Sequence, residues 1–143
     1  MPTVYVWKDD YSPDASWKLL DWCLTRGADE FSLAFLGPPY LPETAWAGVD
    51  EMLAPFRRRV ASAGDRWLLT GESAAVLREV LRDGLFTDSP GETSIENPTV
   101  YRGGSALLSV ATHDGEAVLH LRQDDVESLE RAGLPFHHRS RRS

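Results

Sequence analysis

The chain has 143 residues, 42% of them hydrophobic and 26% charged, which places it among single folded domains and excludes a wholly disordered protein. Its net charge of −7 disfavours nucleic acid and anionic membranes, whose capture rests on Lys and Arg neutralising negative charge. A single cysteine excludes an internal disulfide and fits a reducing, cytoplasmic setting; the start of the chain lacks a signal-peptide layout, and no apolar run is long enough for a membrane span.

Thr3–Trp7 reads as a strand with apolar residues on both faces. Ser12 and Pro13 then supply an N-cap and a first-turn proline, Asp14 adds charge at the positive end of the dipole, and Gly27 is placed to end the helix after Arg26. Trp17, Leu19, Leu20, Cys23 and Leu24 gather on its inner side, while Trp22 is expected to project outward among Lys18, Asp21 and Arg26. A second strand is expected over 31–36. A long amphipathic helix is expected over 43–63, carrying Trp46, Val49, Leu53, Phe56 and Val60 inward and kinked or split at Pro55. Arg57, Arg58 and Arg59 then point around that helix as a solvated face. A third strand over 67–70 leads into a helix over 73–83 ended by Gly84.

Residues 87–98 are polar, Gly- and Pro-bearing and expected to form a flexible loop. The remainder reads as an edge strand at 100–102, a hairpin of 106–112 and 117–122 turned at Asp114-Gly115, and a last helix. In the expected register Val110 opposes Leu119, Leu108 opposes Leu121, and Ser109 faces His120. The last helix opens on a capping box of Asp124 and Glu127 and closes at Gly133. The expected architecture is an α/β domain over 1–136, with α+β as the alternative. It has a mixed sheet of about six strands, four helices, a parallel βαβαβα opening and a C-terminal hairpin plus helix. Residues 137–143 are basic, with nothing apolar to dock, and are expected to be a disordered tail.

No motif with a defined reaction is present, so function is approached through surfaces. If the three opening strands are parallel, Lys8, Asp9, Asp10, Tyr11, Tyr40, Thr70, Glu72 and Ser73 share one strand-end rim, where carboxylates beside a helix start suit Mg²⁺ or a phosphate-bearing ligand. The adjacent Asp9 and Asp10 resemble the acidic pair of bacterial response-regulator receiver domains. That likeness is confined to those two residues, since Gly37 follows the second strand where an acceptor aspartate would stand. Ser109 and His120, with Glu116 nearby, hold the ingredients of a nucleophile and base but lie mid-strand, away from any strained turn. His113, His120, His137 and His138 have no spacing typical of a folded zinc site.

An exposed Trp22 on a protein of net charge −7 has the composition of a binding hot spot for a basic protein. The reading is therefore a non-enzymatic protein-binding module, of the general character of inhibitors or immunity factors, with no cofactor. Its binding residues are Trp22, Asp9, Asp10, Tyr11, Tyr40, Glu72 and Ser73. The alternative is a small hydrolase or transferase acting on a phosphate-bearing ligand, with Mg²⁺ held by Asp9, Asp10 and Glu72.

Overall fold

The computed structural model describes residues 3–7, 13–35, 51–60, 64–81, 84–85, 95–111, 116–134 and 136–138. Its strands are β1 (Thr3–Trp7), β2 (Glu30–Phe35), β3 (Arg57–Val60), β4 (Gly64–Leu68), β5 (Ile95–Arg102), β6 (Ser105–Ala111), β7 (Glu116–Leu121) and β8 (Phe136–His138). Its helices are α1 (Pro13–Thr25), α2 (Gly71–Val80) and α3 (Gln123–Ala132). Residues 51–53 are helical as well and run into a 3-10 turn over Ala54–Phe56. No helix of the described residues is long and apolar enough to cross a membrane.

The strands form one sheet in the order β3-β4-β2-β5-β6-β7-β1-β8, and every neighbouring pair is antiparallel. This corrects the expected parallel opening. Following the alternation along the sheet, β1 and β2 point the same way, but β5, β6 and β7 lie between them. At about 4.8 Å per strand, β1 and β2 stand about 19 Å apart. The third opening strand, β4, lies beside β2 and runs against it. Helices on one side of an antiparallel sheet make this the α+β arrangement.

The register explains which face is buried. Phe31, Trp67, Val100, Leu108, Val110, Ala117, Leu119 and Leu121 fall on one face of their strands and are all buried. Phe31 and Trp67 stack directly across β2 and β4, with ring centroids 5.6 Å apart. The same core takes in Leu19, Leu20 and Cys23 of α1, Leu77 and Val80 of α2, and Val126 and Leu129 of α3. Two bulges adjust the ladder. One between β5 and β6 interrupts the alternation so that Leu107 and Leu108, adjacent in sequence, are both buried. The other falls in β5 near Pro98, a residue with no N–H to give to a ladder.

Four further expectations are corrected. Pro55 does split the helical pattern, but the chain beyond it turns extended: Arg57 to Arg59 form an edge strand instead of a helix face. The β6–β7 hairpin pairs Leu108 with Leu119 and Val110 with Ala117, a slip of two residues that leaves every side chain on its expected face. His137 and His138, expected in a disordered tail, pair with Val6 and Tyr5 as part of β8. Residues 95–98 of the expected loop belong to β5, while 87–94 lie outside the described residues.

Gly84 shows why a glycine is needed at the end of the α2 segment. Its φ is +100°, and a Cβ there would lie 2.8 Å from Ser16 Oγ and 3.1 Å from Pro13 Cα. Ser16 is held in place, since its hydroxyl donates to the Pro13 carbonyl at 2.8 Å and accepts the Leu85 N–H at 3.1 Å. Gly84→Ala is therefore expected to destabilise the protein by about 2 kcal/mol through backbone strain and the clash at α1. The check is a lower urea midpoint with an unchanged m value.

Candidate binding surface

On the helix side, α1 is the middle helix and is pinned from both flanks. Toward α2, Asp21 takes both oxygens to Arg78 Nη2 at 2.7 Å, and the Arg78 guanidinium lies 5.9 Å from the Trp17 ring centroid. Toward α3, Trp22 Nε1 donates to Ser128 Oγ at 3.0 Å, and Arg26 Nη2 donates to Asp124 at 2.8 Å. A central helix buries a wider arc than a peripheral one, because neighbours cover both its shoulders. Trp22 stands in line with Ala15 and Leu19 at steps of four and three residues, on the α3 shoulder, and is only 6% exposed. This corrects the expectation of an exposed Trp22.

Asp125, fully buried in the first turn of α3, is the hub beneath that shoulder. Its Oδ1 accepts Arg26 Nε and Arg102 Nη1, both at 2.9 Å. Its Oδ2 accepts Arg102 Nη2 at 2.8 Å and the Arg122 backbone N–H at 2.9 Å. Burial pushes this carboxyl up, but the hydrogen bonds from Arg102, the Arg122 backbone and Arg26 outweigh it and hold the group far below the usual carboxylate range. Arg102 Nη1 also donates to the Arg26 carbonyl, so the end of β5, the end of α1 and the start of α3 are tied at one point. Cys23 lies buried in the same interior: burial pushes its thiol up to about 12, with Arg102 pulling it down and Asp125 adding to the rise. Such a thiol is inert at neutral pH.

The opposite face of the sheet is polar and half-exposed. Ser32, Thr99, Tyr101, Ser109, Val118 and His120 lie along β2, β5, β6 and β7 on the side away from the helices. At its β3–β4 end the face is braced by charge. Arg58 and Arg66 are direct cross-strand neighbours, a repulsive pairing that Glu30 relieves by accepting from Arg58 at 2.7 Å and from Arg66 at 3.3 Å. The Arg66 guanidinium crosses β2 to lie 3.7 Å over the Tyr101 ring, and the Tyr101 hydroxyl meets Ser32 Oγ at 3.0 Å. The result is a rigid platform of fixed polar groups.

The parallel strand arrangement on which the expected strand-end rim depends is absent among the described strands. Asp9, Asp10, Tyr11 and Tyr40 lie outside the described residues. Glu72 and Ser73 follow the carboxyl end of β4, which points opposite to the carboxyl ends of β1 and β2, so the geometry on which the Mg²⁺ reading depended is absent. Ser73 is a helix cap: its hydroxyl donates to the Leu68 carbonyl at 2.7 Å and accepts the Thr70 N–H at 2.8 Å, while Thr70 Oγ1 accepts the Ser73 N–H. Glu72 is exposed in the first turn of α2, a favourable place for a carboxylate. Ser109 pairs with Val118 rather than His120, which removes the direct opposition of hydroxyl and imidazole. Among the described residues, no group of three His, Cys, Asp or Glu is placed to hold a metal.

Sequence reasoning missed Glu30, Arg58, Arg66, Tyr101 and the Asp125 hub. One signal for the platform was present: Gly103 and Gly104 both hold positive φ and turn β5 directly into β6, as Gly-Gly between two strand patterns implies. In comparisons with protein-family models, curated proteins and solved structures, nothing matches this chain.

Proposed function

We propose that this chain is a non-enzymatic protein-binding module that engages another protein through the sheet face opposite its helices. The observation that supports it is the placement of Ser32, Thr99, Tyr101, Ser109, Val118 and His120 on one half-exposed face, braced at one end by Glu30, Arg66 and Tyr101. Such a face offers alternating hydroxyl, aromatic and aliphatic contacts on rigid strands, so little side-chain order is lost on docking. The four buried polar side chains among the described residues, Ser16, Glu30, Ser73 and Asp125, are all engaged in holding the fold. A basic partner was tied to an exposed Trp22, and with that side chain buried the contact surface moves to the sheet.

Affinity capture from the native host with the wild-type chain and two face variants tests this. Ser109→Arg and Val118→Arg are expected to abolish recovery of the partner, since a long charged side chain breaks close contact across the strands. Glu79→Arg, exposed on α2, is expected to leave recovery unchanged. Equal recovery with all three variants would sink the reading.

A further inference from the structure

The arginine strand β3 gives Arg58 to the bracing of that face, but its outer backbone edge is a separate feature. It is the terminal strand of the sheet, and among the described residues only β4 pairs with it. Three consecutive arginines occupy this four-residue strand in a chain whose net charge is −7, so positive charge is concentrated where an extended backbone is at the edge. Arg57 and Arg58 are both exposed, on opposite sides of the strand, and Glu30 balances only one of the two guanidinium charges that touch it. The two exposed large hydrophobic side chains among the described residues both lie near the start of the same strand, since Arg57 pairs with Trp67. Met52, 37% exposed, precedes it, and Leu68, 38% exposed, ends the adjoining β4.

We infer that β3 is a docking edge for an extended acidic segment of the partner protein, which adds as a further strand beside it. The segment's backbone pairs with the β3 edge, its carboxylates meet Arg57 and Arg58, and an apolar residue covers Leu68. Arginines along an edge repel other basic edges and so guard against self-association; the same charge makes an acidic strand the complementary occupant, because strand addition draws affinity from main-chain hydrogen bonds and selectivity from the side chains. This inference rests on the protein-binding reading and names a second contact on the same molecule.

The test is fluorescence polarisation of a labelled peptide of mixed glutamate and valine titrated with the full chain. Saturable binding that weakens with salt is expected, with no binding of the peptide in which lysine replaces glutamate. Arg57→Gln with Arg58→Gln should weaken it about three- to fivefold, as expected for exposed ion pairs. A version of the peptide N-methylated at alternate residues should fail to bind wild-type protein, and this arm decides the matter even if the arginine variants do not fold. Absence of binding, indifference to both charge removal and N-methylation, or preference for a single-stranded oligonucleotide would each overturn the inference. If the peptide fails while capture still depends on Ser109 and Val118, only the edge is wrong; if capture is also insensitive to the face variants, the module reading falls with it.

Discussion

Asp125→Ala is expected to cost about 3 kcal/mol of stability, because it removes the buried carboxylate shared by Arg102 and Arg26 and leaves Arg26 only the exposed Asp124. The figure sits at the low end for breaking a buried pair, since the two arginine side chains keep 22% and 19% of their exposure and are partly solvated. The loss should be read as a melting temperature lowered by about 10 °C. The same variant has a pH signature. The folded Asp125 carboxyl lies below its ordinary value of 3.8, so its contribution is fully present above that value and is lost as pH falls through it toward the folded value. Wild-type stability should therefore drop steeply below about pH 4, and Asp125→Ala should show a shallower acid slope. Identical slopes would mean that the hub contributes nothing to folding.

Trp22→Ala is expected to be comparably damaging, about 3 to 4 kcal/mol, from loss of a large buried ring. Ser128→Ala should cost about 1 kcal/mol by leaving the indole N–H without its acceptor. Trp22→Phe keeps most of the ring and should fall between them. The informative comparison is with binding: well below its melting point, Trp22→Phe should retain full partner capture, because the side chain is interior to the α1–α3 contact. A stable Trp22→Ala protein that had lost its partner would restore Trp22 to the binding surface.

The positions of many elements could be read from the sequence, whereas their directions could not. Thr3–Trp7 was found at its observed bounds, α1 starts at the proline that marks its first turn, and Gly27 and Gly133 take the positive φ expected past helix ends. These signals are local: a cap, a proline and a glycine act over a few residues. Strand direction is set by distant pairing. The alternation of strand, turn and helix suggested crossovers between parallel neighbours, but β2 takes β4 and β5 as its neighbours, and β1 takes β7 and β8. Nothing within 3–36 encodes those partners.

Trp22 failed for a related reason. A helical wheel assigns an inner side without knowing how many neighbours the helix has, and α1 has one on each flank. The braced sheet face could not be read from the sequence because Glu30, Arg58, Arg66 and Tyr101 come from four different strands. The arginine run itself was legible, but its expected helix gave way to an extended edge after Pro55.

The position of β1 between β7 and β8 has a kinetic consequence. Its partners lie 110 to 133 residues downstream, so closing that part of the sheet carries a large loop entropy and places this domain among topologies of high contact order, which fold slowly. During synthesis the Val-Tyr-Val-Trp stretch leaves the ribosome long before its hydrogen-bonding partners exist. A nascent chain of this kind presents a sticky β-prone segment for most of its translation, and is a natural client for chaperones that hold such segments apart until the last strands arrive.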